Sequence, residues 1–290
     1  MKKRIPLISL CLTMAVMLSA CTGERVGGGA ATRTERVKVI DVDLTTEEYG
    51  IGVDKDQPEL LEEINAAIKE MQDDGEMDRI FSHYLGEGEP VRVGSAERDP
   101  SQDQLVVSST LDFEPFEYGR VGEYYGIDME LVSHLADKLG KQLVIVNSSF
   151  EMMFLAVSQH KCDICIGGIT INDKRRSYVD FSVPYFKTGQ QVAVRADNTE
   201  FDGVTTADEV EGILRIADDS RTIGVESMTT GQYYCEGSRK EGYAGLPLEI
   251  RRFRDLDVAM QALVDEKVDY VIGDELTLRS VADEYNGVEN

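Results

Sequence analysis

DICIGGITINDKRRSYVDFSVPY, residues 163–185, predicts a buried strand that ends in the components of an anion site. Residues 164–166 are apolar, and the two glycines after them allow a ligand to approach the backbone closely. Asn172 can cap a short helix that carries Arg175 in its first turn. Backbone N–H groups, the Thr170 hydroxyl and a bidentate pair from Arg175 would suit a small carboxylate. A plain strand–turn–helix connection with a surface arginine is the alternative that this stretch leaves open.

Around this stretch, strands and helices alternate from residue 105 onward, which is typical of an α/β fold. Apolar runs predict the strands, and apolar residues spaced three and four positions apart predict the helices. The predicted strands are 105–109, 143–146, 164–166, 190–194, 221–225 and 268–272. The predicted helices are 127–139, 150–159, 258–264 and 276–284.

Polar and aromatic side chains follow four of these strands at their carboxyl ends. Ligands of open α/β sheets bind beyond the carboxyl ends of the strands, so we expect these side chains to face one cleft. The residues delivered in this way are Thr110, Asp112 and Phe113; Gly168, Thr170 and Arg175; Glu226, Ser227, Thr229 and Thr230; and Asp274.

The amino-terminal part of the chain has elements of its own. Strands 37–42 and 49–53 are predicted to precede helices 58–71 and 77–85. Residues 86–104 then form a run rich in charge, glycine and proline that is longer than an ordinary loop of about 12–15 residues. We interpret this run as a linker that joins what were once two chain ends.

The first 20 residues predict a signal peptide, with a basic start, an apolar run and small residues before Cys21. Leu18–Cys21, LSAC, resembles the bacterial lipoprotein box, in which the cysteine is acylated. An ordinary cleavable signal is the alternative. Residues 21–36 would then form a lipid tether, and the chain would be extracytoplasmic and anchored to the bacterial membrane.

Composition and spacing exclude several other classes. At 290 residues and 42% hydrophobic content the chain can bury the core of two lobes, and its net charge of −24 argues against a nucleic-acid partner. Cys162 and Cys165, with His160 nearby, have the spacing of a redox pair or a zinc site, but we predict buried, inert thiols. Without a Ser–His–Asp set or a phosphate loop, we predict no catalytic residue, cofactor or metal.

Four segments, in this order, resemble the family 3 bacterial solute-binding proteins, the amino-acid receptors of ABC importers. They are LVVSSTLDFEPFEY (105–118), GIDMELVSHLADKLG (126–140), GGITINDKRRSYVDFSVPY (167–185) and VDYVIGDE (268–275). Residues 41–86 resemble the carboxyl-terminal end of the same family. The resemblance implies a two-lobe, type II periplasmic-binding-protein-like fold, with a sheet flanked by helices in each lobe.

The order of the segments implies that the chain is circularly permuted; a fused, unrelated amino-terminal piece is the alternative. Lobe 1 would comprise residues 46–186, including the linker 86–104, and lobe 2 residues 188–290 plus 37–42. Two hinge strands, at about 41–45 and 185–189, would let the lobes close on a ligand.

The resemblance also implies how an amino acid would be held. Arg175, with the Thr170 and Thr230 region, would take the α-carboxylate. Asp274, with the Gly168 carbonyl and the Thr170 hydroxyl, would take the α-ammonium.

Four further site residues follow from the resemblance. Phe113 and Phe150 would be apolar walls, and Thr110 and Glu226 occupy positions that vary with the ligand. Thr110 stands where relatives that bind glutamine or cations carry an aspartate, whereas Glu226 could pair with a cation; we prefer a solvated Glu226. Asp128 also matches a family position, and we assign it a capping or surface role.

The resemblance predicts a monomeric receptor, without enzymatic activity, that captures a polar amino acid and delivers it to an ABC permease. A cyclohexadienyl dehydratase-like enzyme on the same fold is one alternative, since those enzymes look similar in sequence. A ligand-sensing subunit of a signalling system is another.

Overall fold

Two five-stranded sheets organise the computed structural model, which describes residues 35–120, 122–217 and 220–287. All of these residues belong to one unit, residues 33–290. The strands are β1 (Val37–Ile40), β2 (Glu47–Tyr49), β3 (Gly52–Val53), β4 (Gln104–Ser109), β5 (Asp112–Phe113), β6 (Glu117–Arg120), β7 (Glu123–Tyr125), β8 (Gln142–Asn147), β9 (Ile164–Cys165), β10 (Asp180–Phe181), β11 (Phe186–Thr188), β12 (Gln190–Arg195), β13 (Thr222–Glu226), β14 (Glu249–Phe253) and β15 (Tyr270–Asp274). The helices are α1 (Pro58–Asp73), α2 (Glu76–Leu85), α3 (Ile127–Leu139), α4 (Phe150–Ser158), α5 (Ala207–Ile216), α6 (Thr230–Glu236), α7 (Leu256–Val264) and α8 (Glu275–Gly287).

The predicted signal peptide, the lipidation at Cys21 and nearly all of the predicted tether lie outside the described residues. Within residues 35–287, apart from the short gaps, the structure contains no helix that is both long and apolar enough to cross a membrane.

The first sheet has the strand order β10-β3-β9-β4-β8. Its interior strand β4 alternates between two apolar clusters, because successive side chains of a strand point to opposite faces. Leu105 and Val107 pack with α1, α2 and α3, whereas Val106 packs with α4. This sheet is therefore buried on both faces, as the apolar runs of its sequence predict.

The second sheet has the order β1-β12-β15-β13-β14. Val192 and Val194 of β12 face a cluster that contains α5 and α6, while Ala193 faces one that contains α7 and α8. Strand β1, from the amino-terminal part of the chain, pairs antiparallel with β12 and forms one edge of this sheet.

The two sheets are joined by an antiparallel ribbon of β2 and β11, in which Tyr49 pairs with Phe186 and Glu47 with Thr188. Strand β2 runs from β1 to β3, and β11 runs from β10 to β12, so the chain crosses between the sheets twice. The predicted two-lobe α/β fold is confirmed. The lobe boundaries and the permutation stay predictions.

The predicted linker, residues 86–104, has little regular structure but is hydrogen-bonded to the rest of the protein. The Val93 N–H donates to the Tyr124 carbonyl, and the Ala96 N–H donates to the Leu143 carbonyl. The Ile145 N–H donates to the Ser95 hydroxyl. Residues 93–96 therefore lie against β7 and then along β8, the outer edge of the first sheet.

Several elements escaped prediction because they lack long apolar runs. Strands β5, β6 and β7 form a small separate sheet of two- to four-residue strands. Strand β14, EIRRF, is largely exposed, so its pattern is polar. Helices α5 and α6 were also missed, although Thr206 and Glu209 give α5 a complete capping box.

Asn286 joins the end of α8 to the beginning of β1. The dipeptide Asn286-Gly287 is typical of a turn that leads into another strand, but α8 continues through Gly287. The Asn286 carboxamide oxygen accepts hydrogen bonds from the backbone N–H groups of Arg36 (2.8 Å) and Val37 (3.1 Å). Its amide nitrogen donates to the Val37 carbonyl at 2.9 Å. The edge strand that the turn was expected to lead into is thus supplied by β1.

We expect Asn286→Ala to lower the free energy of unfolding by about 1–3 kcal/mol, because it leaves backbone groups of β1 without partners. Urea unfolding would measure this. Asn198→Ala is the matched control, because the side chain of Asn198 bonds only within its exposed turn. Equal losses in the two variants would contradict the role of Asn286.

Candidate functional site

One cavity of about 570 Å³, partly open to solvent, lies at the carboxyl ends of strands from both sheets. The structure brings all nine predicted site residues to its lining: Thr110, Phe113, Phe150, Gly168, Thr170, Arg175, Glu226, Thr230 and Asp274. The lining also includes Asp112, Glu117, Ser149, Thr229 and Arg254. Whether they bind a ligand stays a prediction.

Arg175 is the buried cation of this cavity, with 6% of its surface exposed, so the surface-arginine interpretation is wrong. Its backbone N–H donates to the Asn172 side chain at 2.9 Å, but the cap of the short 3-10 helix Arg175–Ser177 is Lys174 and not Asn172 as predicted. Its Nη1 donates to the Thr170 carbonyl at 2.8 Å, and its guanidinium carbon lies 5.0 Å from the centre of the Phe150 ring. In the part of the chain that the structure describes, no carboxylate forms an ion pair with it. Burial lowers the pKa of Arg175, and nearby acidic groups, Glu47 first among them, offset this only in part.

Asp274 ends β15 and is buried in the same cavity. The Tyr49 hydroxyl donates to its Oδ1 at 2.6 Å. Burial, followed by the nearby negative charge of Glu47, raises the pKa of Asp274 to about 7. A cationic group bound here would favour the ionised carboxylate.

Glu47 is a buried residue of this site that our sequence analysis missed. Its carboxylate accepts hydrogen bonds from the Thr170 hydroxyl (2.6 Å), the Thr45 hydroxyl (2.7 Å) and the Gln190 amide (3.0 Å). We had predicted that the Thr170 hydroxyl donates to a bound anion. In the structure its proton points to Glu47 instead. The Thr230 hydroxyl donates to the Thr170 oxygen at 3.2 Å and links the second lobe to the first.

Gly168 needs to be a glycine, because its φ of +51° is a left-handed conformation and a Cβ would lie 2.4 Å from the Phe113 ring. Its N–H donates to Asp128 Oδ2 at 2.9 Å. Asp128 is 0% exposed, so the capping or surface role that we predicted for it is wrong.

Asp128 is paired with a second buried acid, Glu117, that we also missed. The Thr110 hydroxyl donates to Glu117 Oε1 at 2.8 Å. Burial and the neighbouring Asp128 raise the pKa of Glu117 well above its usual value, and burial raises that of Asp128 to about 7. The pair supports the cavity wall at Gly168 and keeps a proton that exposed carboxyls would lose.

Glu226 lines the cavity at the end of β13 and is partly exposed, so whether it is solvated or pairs with a cation stays a prediction. Burial, followed by the charges of Asp112, Asp274 and Asp255, raises its pKa to about 8.

The predicted buried thiols are confirmed. Cys162 and Cys165 are free and buried, and burial raises the pKa of Cys165 far above its usual value. His160 contacts Asp54 instead, with Nδ1 2.6 Å from Oδ2. None of these residues lines the cavity.

A model of the family described as bacterial extracellular solute-binding proteins, family 3, matches residues 105–274. A probable histidine-binding protein of Campylobacter jejuni is 24% identical over 175 residues, which cover 60% of this chain and 61% of that protein. A cyclohexadienyl dehydratase of Pseudomonas aeruginosa is 36% identical over 87 residues, which cover 30% of this chain and 32% of that enzyme. The chain thus spans less than two thirds of the length of either relative.

Among solved structures, the crystal structure of the ancestral amino acid-binding protein AncCDT-1, a precursor of cyclohexadienyl dehydratase, is similar with a TM-score of 0.52 and 28% identity. The match covers 63% of this chain and 74% of that one. The family resemblance predicted from the sequence is therefore confirmed. Because the family match covers more than half of its 290 residues, the chain belongs to the bacterial extracellular solute-binding proteins, family 3.

Proposed function

We propose that this protein is an extracytoplasmic receptor, without enzymatic activity, that binds a polar amino acid between its two lobes and delivers it to an ABC importer. One observation carries the proposal: a single cavity contains the buried cation Arg175, which has no carboxylate partner among the described residues, and the buried acid Asp274. Uncompensated buried charges are costly, and a zwitterion supplies the missing partner to each.

In this binding mode Arg175 takes the α-carboxylate in a bidentate pair, with Thr230 beside it. Asp274 takes the α-ammonium, helped by the oxygen of Thr170, whose own proton is committed to Glu47. Glu47 is a positioning residue here, because it fixes which way the Thr170 hydroxyl points.

Ligand binding would favour the closed arrangement of the lobes, because the proposed contacts come from both of them. Direct contacts already join the lobes. Lys174 Nζ donates to the Tyr233 hydroxyl at 2.6 Å and lies 4.1 Å from the centre of that ring. The Tyr49 hydroxyl reaches Asp274 from the connecting ribbon.

The proposal includes a circular permutation with lobe 1 at 46–186, lobe 2 at 188–290 plus 37–42, and hinges at about 41–45 and 185–189. Its support is that β1 completes the second sheet while β3 pairs within the first, which an unrelated fused piece would not do. We further propose that the chain acts as a monomer, that the signal peptide is removed, and that acylated Cys21 anchors the tether to the membrane.

Titration of the purified protein with the twenty common amino acids, ornithine, citrulline and cystine tests the proposal. A ligand at 100 times its dissociation constant adds about 2.7 kcal/mol of stability, so we expect a clear rise in melting temperature for at least one polar amino acid. Calorimetric titration of that ligand gives its affinity. A folded protein with neither a thermal shift nor heat of binding would contradict the receptor function.

A cyclohexadienyl dehydratase-like enzyme is the second candidate, supported by the similarity to the Pseudomonas enzyme and by Glu226. A cavity carboxyl with a pKa of about 8 can act as a general acid at neutral pH. Turnover of prephenate or arogenate would favour this candidate, and it should then be lost in Glu226→Gln.

A further inference from the structure

The lining of the cavity has more acidic than basic side chains. Its lining contains the carboxyl groups of Asp112, Glu117, Glu226 and Asp274 against the guanidinium groups of Arg175 and Arg254. Among the four acids, Asp274 is assigned to the ammonium, and Glu117 is satisfied by Thr110 and held in its buried pair with Asp128. Two acids are left.

The remaining acids, Asp112 and Glu226, come from different lobes, and neither has a cationic partner. Over the described part of the chain, neither carboxylate forms a hydrogen bond or an ion pair. Arg254, the other cation of the lining, is directed elsewhere, since its Nε lies 2.8 Å from Asp255 and its side chain is 81% exposed. Glu226 is partly buried beside Asp112, Asp274 and Asp255, which makes an unpaired carboxylate there unfavourable.

We propose that Glu226 and Asp112 form the side-chain subsite of this cavity, and that the subsite selects a ligand with a second positive charge, an ammonium or guanidinium group on its side chain. The inference rests on the proposed amino-acid binding and names its ligand class. Thr110 cannot supply a negative charge for such a ligand, because its side chain is neutral, and its hydroxyl already donates to Glu117. Glu226 of the second lobe supplies the negative charge. Asp112 is more exposed and adds a weaker attraction.

Proton release should accompany binding. The groups that face Glu226 are Asp112, Asp255 and Asp274 nearby, with Glu117, Arg175 and Arg254 in the same lining. A bound cation favours ionised Glu226, so the site must lose a proton at any pH below about 8. Affinity for a cationic ligand should therefore rise with pH between 6 and 8, by up to about tenfold per pH unit for one released proton.

The experiment is calorimetric titration of the wild type and Glu226→Gln with arginine, lysine, citrulline and glutamine at low salt. We expect the wild type to bind arginine or lysine at least about 10-fold more tightly than the neutral pair. Glu226→Gln should lose about 10-fold or more for the cationic ligand and less than about threefold for the neutral ones. The affinity of this variant should also depend less on pH, and the remaining dependence should come from Asp274. Glu62→Gln, an exposed glutamate of α1, is the control and should match the wild type.

The outcomes separate the two proposals. If no amino acid binds to the folded wild type, the receptor function itself fails. If glutamine or citrulline binds as tightly as the cationic ligands, or if Glu226→Gln leaves the preference intact, the receptor function stands and the charged subsite is wrong. Should Glu226→Gln not fold, Asp112→Asn gives the same comparison, with a smaller expected loss of cation affinity.

Discussion

Arg175→Ala should weaken binding of the amino acid identified by the thermal screen by at least about 100-fold. A bidentate guanidinium–carboxylate pair contributes two charge-assisted hydrogen bonds of roughly 1.5–3 kcal/mol each, and about 2.8 kcal/mol corresponds to 100-fold. The loss should be large because the side chain is buried and faces the cavity. Calorimetric titration of the ligand into wild type and variant measures it.

The next residue in the chain is a matched control. Arg176 is exposed and stacks over Phe181, away from the cavity lining, so Arg176→Ala should bind the ligand as the wild type does. Arg175→Lys should recover only part of the affinity, because an ammonium cannot make the planar double contact. Affinity within about threefold of the wild type in Arg175→Ala would refute the proposed carboxylate site.

The second large effect concerns stability, which should fall as pH rises from about 4 to 8 in the ligand-free protein. In the unfolded chain the carboxyl of Asp128 ionises near its ordinary pKa, whereas burial raises its pKa to about 7 in the folded state. The folded state therefore binds more protons than the unfolded state in this interval. The stability that this proton contributes is fully present below the pKa of the unfolded state and is lost as the pH rises through the pKa of the folded state. Asp128 alone should lower the free energy of unfolding by on the order of 4 kcal/mol, because each pKa unit between the folded and unfolded states corresponds to about 1.4 kcal/mol.

Asp128→Asn should remove this loss. Asparagine can still accept the Gly168 N–H, and its amide can donate to Glu117 without a charge. We therefore expect the variant to be more stable than the wild type at pH 8 by a few kcal/mol and close to it at pH 4, as measured by urea unfolding. Asp180→Asn, at an exposed position of β10, should follow the wild-type curve. Parallel curves for wild type and Asp128→Asn would rule out the buried pair as the cause.

Apolar periodicity was sufficient to predict the central elements. Helix α3 has the bounds predicted for it; β4 and β12 differ from prediction by one residue at one end, and β8 by one residue at each end. Their burial is decided by side chains that repeat every two or three to four positions, which is local information. Strand β14 and the small sheet of β5, β6 and β7 depend on neighbours that are distant in sequence, so no local pattern identified them.

The distinction between local patterns and contacts that are distant in sequence also applies to the site. Residues that follow strand ends could be brought together from sequence, because parallel strands place their carboxyl ends at one edge. Glu47, Glu117 and Asp128 could not, since an acidic residue is ordinarily exposed and only tertiary packing buries these three. Asp128 was assigned a cap because it lies in the first turn of α3, and only the distant Gly168 shows its different role.

The pairing of β1 with β12 has a consequence for the order in which the chain folds. Strand β4 finds its neighbour β8 within about 38 residues, so these two strands of the first sheet can pair early as the chain emerges from the membrane. Val37, by contrast, pairs with Arg195, and the side chain that holds it in place belongs to Asn286, 249 residues away. For the extracytoplasmic protein proposed above, β1 must stay unpaired until residues 190–195 of β12 have crossed the membrane. The second sheet is therefore completed last, and an exposed β1 is the segment from which misassembly of nascent chains would begin.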